Sequence, residues 1–251
     1  MIDALLLAGG GDAASGNKAF LDGAGRPMVW YVAKALADAP SVGRVVAVGP
    51  PEELTKAVGS LGTEIVPDSG GSSIENLIAA MNALPAGSGR VMASAADIPL
   101  LVPDAVEEFL AACTKEEADL YYPIVPQSVL EDRYPGARKT FVRVLDGSFT
   151  GGSLFVFNPG AVAPVRDLVE KMVRARKKPW IMASLIGWST AMKLTSGRLS
   201  IKEVEARLGE ITRLVLRAVI VRRPELALDA DLEHPENLEI IRRELQRTSS
   251  G

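Results

Sequence analysis

The chain has 251 residues, with 28 Lys and Arg against 31 Asp and Glu, one His, one Cys and 47% hydrophobic residues. On a prior of roughly 150 residues per domain that length spans one to two domains, and it can bury a core without disulfides or metals. The net charge of −3 gives no electrostatic case for bulk nucleic-acid binding, and the lone Cys113 excludes an internal disulfide framework and a Cys-rich zinc site, while His234 as the sole imidazole argues against triad, Cys-His and multi-His chemistry within one chain.

Residues 2–8 (IDALLLA) read as a buried strand that stops at Gly9-Gly10-Gly11. A helix is predicted over 27–38, where Pro27 sits in a first turn that does not need its missing N–H. Residues 44–49 form a second apolar, β-branched run, and 73–84 read as a helix with Ser72 or Ser73 available as cap. A third strand at 90–95 ends on Ala96-Asp97-Ile98-Pro99, followed by a helix from Pro103 to Ala112. Strand–helix–strand spacing of this kind predicts an α/β protein with a Rossmann-like, mostly parallel sheet and right-handed crossovers.

The second half changes character. Strands are predicted at 119–125, 139–145 and 153–157, joined by Gly/Pro-rich turns, then a helical elaboration over about 164–208, a strand at 214–221 and a closing helix at 235–247. No internal repeat or low-complexity linker divides the halves, so residues 1–251 read as one domain carrying that elaboration. Trp180 and Trp188, eight apart on a presumed helix, read as core or as an oligomer contact, and Cys113 as a small buried hydrophobe. The weakly apolar stretch from Trp180 to Met192 is too short and too polar to span a bilayer. Arg174, Arg176, Lys177 and Lys178 before it permit an interfacial reading beside the plainer one of a solvated face. Without a basic leader or cleavage site after Met1, the expected location is cytoplasmic.

Three segments can carry chemistry on the groups that remain, which are carboxylates, Lys, Arg and backbone amides. Glycines after the first strand let a ligand approach the backbone, consecutive loop N–H groups form an anion nest, and Lys18 can neutralise phosphate charge. The plainer reading is a strand-ending turn with a solvated Lys. A Walker A loop fails because Asn17-Lys18-Ala19 follows Gly16, and the dinucleotide fingerprint fails because the second strand ends in Gly49-Pro50-Pro51 rather than an acid. Asp97, just past a buried strand, lies where open α/β sheets bind ligands; it can hold Mg²⁺ or simply cap the next helix. Asp229, Asp231 and Glu233 alternate before Pro235 and either complete a metal site or form a solvated acidic turn.

In this order, the glycine loop with Lys18-Ala19-Phe20-Leu21 and Gly25-Arg26-Pro27-Met28, then Ala96-Asp97-Ile98-Pro99-Leu100-Leu101, then Thr150-Gly151-Gly152-Ser153, then the acidic segment before Pro235, the chain resembles the NTP-transferase superfamily. The nearest kin by these motifs are molybdenum-cofactor guanylyltransferase-like (MobA-like) and sugar-phosphate or cytidylyl-transferase proteins of GT-A-like fold. Residues 174–187 also resemble a helical insert of one bacterial branch. The resemblance implies that Leu7, Ala8, Gly9, Gly10 and Gly11 contact the base and phosphates of an NTP, with Lys18 on the phosphates and Ser72 and Asn76 on the base or ribose side. It places Gly151 and Gly152 near the acceptor, and Mg²⁺ on Asp97 with Asp231 or Glu233 as second ligand. One departure stands out: the family carries an Arg between its glycines and its Lys, whereas residues 12–17 here contain none and start with Asp12. Arg26 or an Arg of the insert would then substitute, or the activity is altered or lost.

The expected reaction is metal-assisted attack of an acceptor phosphate or hydroxyl on the α-phosphorus of an NTP, with Lys18 facing the leaving pyrophosphate. Two rivals are a GT-A glycosyltransferase using a sugar nucleotide and a nucleotide-binding module without catalysis. The partners expected are an NTP and a small-molecule acceptor, with a homo-oligomer open.

Overall fold

The computed structural model describes residues 1–9, 17–70, 73–85, 87–175 and 179–249. The chain opens with β1 (Ile2–Leu7), α1 (Met28–Asp38), β2 (Val42–Gly49), α2 (Pro51–Val58) and β3 (Glu64–Pro67). It continues through α3 (Ser73–Asn82), β4 (Val91–Ala95), α4 (Pro103–Ala112), β5 (Leu120–Pro126) and α5 (Gln127–Arg133). Three strands follow, β6 (Val142–Val144), β7 (Gly147–Gly151) and β8 (Leu154–Phe157). Four helices, α6 (Pro159–Ala175), α7 (Pro179–Ile186), α8 (Trp188–Thr195) and α9 (Ile201–Thr212), precede β9 (Leu216–Ile220) and α10 (Pro235–Ser249).

Among the described residues nine strands form one mixed sheet, in which β3-β2-β1-β4 are all parallel. β4 then pairs antiparallel with β8, β8 with β5, and β5 parallel with β9 on its far side. This is the Rossmann-like α/β architecture expected, with the parallel half in the first hundred residues. The apolar run of β1 is continuous because both of its faces are covered. Ala4, Leu6 and Ala8 point into a core shared with Met28, Val32, Val106 and Phe109 of α1 and α4. Leu5 points the other way, onto Leu77 and Ala80 of α3 and Phe157 of β8. A strand side-chain period of two serves both layers at once.

β7 and β8 behave as one strand broken at Gly152 and Ser153. The first piece pairs with the end of β5 and with β6, the second with β4 and the start of β5. At the break Gly152 N–H donates to Pro123 O at 2.9 Å, Ser153 N–H to Leu226 O at 2.8 Å, and Ala95 N–H to Ser153 O at 2.8 Å. The sequence shows the second piece but not the first, whose Gly-Ser-Phe-Thr-Gly reads as a turn.

Two expectations are corrected here. The strand predicted over 139–145 is only Val142–Val144, so Lys139 lies in the loop before it. The presumed helix carrying both tryptophans is two short helices meeting at Gly187, whose φ is +93°, and neither tryptophan is core: Trp180 is 64% and Trp188 63% exposed. Cys113 is buried, as expected, and burial pushes its thiol up to about 12.

Candidate active site

β1 lies between β2 and β4, and the chain leaves it first toward β2 and returns to β4 on its other flank. At such a reversal open α/β sheets take ligands in the crevice beyond the carboxyl ends of the strands, here β1 and β4. The two strand ends are tied together, with Ala96 N–H donating to Leu7 O at 3.3 Å. Leu7, Ala8 and Gly9 therefore sit beside the turn that carries Asp97. Gly10, Gly11 and Ser72, singled out from the sequence, lie outside the described residues.

Gly9 is glycine because the space beside it is filled. A Cβ there would stand 2.6 Å from Asn76 Nδ2 and 3.1 Å from Asp68 Cβ. Asn76 is itself buried, and its Oδ1 accepts from Ser69 N–H at 3.0 Å and Ser69 Oγ at 3.1 Å. Asn76 thus holds the loop after β3 against the glycine at the end of β1. Its carbonyl oxygen is already engaged, which places its contribution first in shaping the crevice wall.

Lys18 is positioned by its neighbour. Asn17 Nδ2 donates to Ala8 O at 2.6 Å, and its Oδ1 accepts Ala19 N–H at 3.0 Å, starting the short 3-10 turn over residues 18–20. Asn17 pins the far end of the glycine loop to the β1 end and presents Lys18 beside the crevice. The sequence offers only an Asn-Lys pair there, and this clamp is visible only once Ala8 is nearby in space. Lys18 Nζ pairs with Asp231 Oδ1 at 3.4 Å, the two side chains about one-third and one-quarter exposed. Burial raises the Asp231 carboxyl, but the Glu233 N–H and Lys18 outweigh it and leave it below the usual carboxylate value.

Asp97 follows β4 by two residues, and its backbone O accepts Ala230 N–H at 2.7 Å. This one bond brings the late acidic segment onto the strand end. Burial pushes the Asp97 carboxyl up to about 6, the Asp229 charge pushes the same way, and Lys18 and Lys139 pull it down. The carboxylate whose charge Asp97 feels is Asp229, whereas the resemblance implies Asp231 or Glu233 as the partner on a metal. Asp229 Oδ1 pairs with Lys139 Nζ at 2.7 Å, with Lys139 only 16% exposed. Lys139 is in turn fixed by Asn237 in the first turn of α10. Asn237 is fully buried; its Oδ1 accepts Arg138 N–H at 2.7 Å and its Nδ2 donates to Arg138 O at 3.0 Å.

The centre of the site is therefore two Lys–Asp pairs, Lys18–Asp231 and Lys139–Asp229, set around Asp97. Arg26, a sequence candidate for the missing loop Arg, stacks on Trp30 at 5.2 Å. Lys139 is the second cation that the fold brings to the carboxylates. Gly151 and Gly152 flank the site through Ser153, whose carbonyl receives Ala95 N–H. Their lack of side chains has a packing cause: a Cβ on Gly151 would overlap Tyr122, and one on Gly152 would stand 3.0 Å from Leu226 O. Among the described residues no three His, Cys, Asp or Glu side chains converge as a ready-made metal cage.

A Rossmann-like sheet with a glycine-ended first strand, a strand-end carboxylate at the switch point and flanking lysines defines the class of nucleotide-handling α/β transferases. The chain belongs to the MobA-like NTP transferase domain family, whose model matches residues 4–181. A structure described as a hypothetical transferase from Thermus thermophilus is 37% identical over 94% of this chain and 99% of its own, with a TM-score of 0.82. At the level of fold alone, CMP:2-keto-3-deoxy-manno-octonic acid synthetase complexed with CTP superposes with a TM-score of 0.61 at 14% identity, covering 99% of this chain and 100% of that one. The 4-diphosphocytidyl-2C-methyl-D-erythritol synthase of Anaerococcus prevotii superposes at 0.58 with 12% identity, covering 98% of each chain. Comparison with curated proteins returned no match.

Proposed function

We propose that the protein is a Mg²⁺-dependent nucleotidyltransferase that moves an NMP from an NTP to a phosphate or hydroxyl of a small-molecule acceptor, releasing pyrophosphate. The observation that carries this reading is the placement of Asp97 at the switch point, beside Asp229 and between two lysines. Two crowded carboxylates, one held near 6 by burial and by the other's charge, are the hard oxygen donors that Mg²⁺ takes. A divalent cation bound there would relieve their repulsion, drawing its remaining ligands from phosphates and water. When bound, it would neutralise charge on the phosphates of the nucleotide. Asp231 and Glu233 remain the family-derived candidates for the second ligand; the charge felt at Asp97 favours Asp229.

The residues of the chain supply the rest. The β1 end and its glycines let base and phosphates approach the backbone. Lys18, released from Asp231, faces the phosphates and the charge that grows on the leaving pyrophosphate. Lys139 takes the place of the loop Arg absent from residues 12–17. Gly151 and Gly152 carry the chain past Tyr122 and Leu226 on the side where the resemblance expects the acceptor. Such a reaction asks the protein for positioning and charge neutralisation, which suits a chain with one His and one Cys.

Thermal-shift and calorimetric titration of the four NTPs, with and without Mg²⁺, test the reading. Stabilisation by at least one NTP that needs Mg²⁺ and is lost in Asp97→Asn is expected. A flat response to every NTP, or binding of a sugar nucleotide when no NTP binds, would overturn it in favour of a non-binding relic or of the glycosyltransferase reading.

A further inference from the structure

The charge of the chain is not spread evenly. Residues 171–202 contain eight Lys and Arg and no Asp or Glu, leaving 20 Lys and Arg against 31 Asp and Glu in all the rest. A chain of net charge −3 therefore divides into a segment of +8 and a remainder of −11. Inside the basic segment residues 179–192 carry no charged side chain, and cations stand on both sides, Arg174 to Lys178 before and Lys193 after. Those 14 residues are well short of the roughly 20 needed to cross a bilayer, and no helix among the described residues is long and apolar enough to do so.

The fold spends only part of this apolar stretch on its own core. α7 packs against α6, α8 and α9, burying Ala183 and Ile186. It leaves Trp180 64% and Ile181 37% exposed, and α8 adds Trp188 at 63% and Met192 at 70%. Trp188 and Met192 are four apart on one helix, so they share a face. Lys171, Lys193 and Arg198 are exposed around these helices.

We propose that the α7–α8 pair is a docking surface for an anionic lipid membrane, on which the protein lies without crossing it. Exposed tryptophans with an aliphatic side chain and a thioether enter the headgroup boundary, while neighbouring cations meet acidic headgroups. The cations select the occupant. An ordinary protein interface is depleted of Lys at its core, whereas an acid-free cationic segment matches a surface of uniformly negative charge. A nucleic acid would use the cations but leaves Ile181 and Met192 without a role.

Full-length protein is mixed with vesicles of phosphatidylcholine, or of phosphatidylcholine and phosphatidylglycerol, and sedimented at low and high salt. Sedimentation with the anionic vesicles alone, weakened by salt, is expected. It should fall about tenfold or more in Trp180→Ser/Trp188→Ser and in Lys171→Gln/Lys193→Gln/Arg198→Gln, since each cation near an acidic surface adds measurably to binding. Both sets of substitutions lie on exposed positions, and unchanged melting temperatures establish that the variants are folded. In a Trp30→Phe background the fluorescence of the two remaining tryptophans should shift to the blue on anionic vesicles. No binding to anionic vesicles, equal binding to both vesicle types, or full binding by both variants would overturn the proposal. So would vesicle-independent dimerisation abolished by the tryptophan substitutions, which would assign the face to a second copy, or retention of a DNA or RNA oligonucleotide without vesicle binding.

Discussion

Asp97 is the residue at which folding and chemistry pull in opposite directions. Its carboxyl is half-buried beside Asp229 and held at about 6, above the ordinary 3.8. A folded-state value above the unfolded one means the folded chain holds this proton more tightly. The group's contribution to stability is then fully present below about pH 4 and lost as pH rises through about 6. Asp97→Asn should therefore stabilise the metal-free protein at neutral pH by on the order of 2 kcal/mol, with the gain disappearing near pH 4. Urea melts of both proteins at the two pH values in EDTA check this. Lys139 makes the converse case, since it is the cation that the fold adds to the site. Lys139→Met should weaken NTP affinity about tenfold, the cost of one charge-assisted contact, while Lys139→Arg should retain most of it, read by calorimetry. Gly152→Ala should cost about 1–3 kcal/mol in a thermal melt, because the new methyl meets the backbone carbonyl of Leu226 and cannot push it aside.

At the scale of elements, what was legible in the sequence follows from length and periodicity. β1, α1, β2, β4, α4 and α10 fall within a few residues of where their apolar patterns place them, because each is long or buried on two faces. α2, eight residues starting at Pro51, and β3, four residues ending in Pro67, are too short to show a period. α5, seven residues behind Pro126, is likewise too short to show a period. Two helix starts give contrasting predictions. Ser200 and Glu203 form a capping box on α9, far from the crevice in sequence and function. Ser200→Ala should cost about 1 kcal/mol and leave NTP binding unchanged. Asn237 in the first turn of α10 makes two hydrogen bonds to the Arg138 backbone, and its loss leaves a buried donor and acceptor unmatched. Asn237→Ala should cost about 2–4 kcal/mol and, by freeing the loop that carries Lys139, also weaken NTP binding. The pair of melts and titrations separates a purely structural cap from one that positions the site.

At the scale of the whole molecule, the sequence by itself determined the chemistry available and its order along the chain. One His and one Cys leave carboxylates, lysines and backbone amides, and the glycine loop, the strand-end Asp97 and the late acids appear in a sequence-readable succession. It determined as well the division of charge into a cationic stretch at 171–202 and an acidic remainder, because net charge is additive along the chain. Only the tertiary structure decided which groups meet. Asp229 rather than its neighbours is the acid felt by Asp97, since the Ala230 N–H bond to Asp97 O fixes the register of that segment against β4. Lys139 joins the site because a buried asparagine nearly a hundred residues later holds its loop. Trp180 and Trp188 are surface and not core because Ala183 and Ile186 already fill the contact between the helices. The reason is common to all three: a local pattern specifies what a residue prefers, whereas burial and pairing depend on partners distant in the chain, which sequence spacing does not encode.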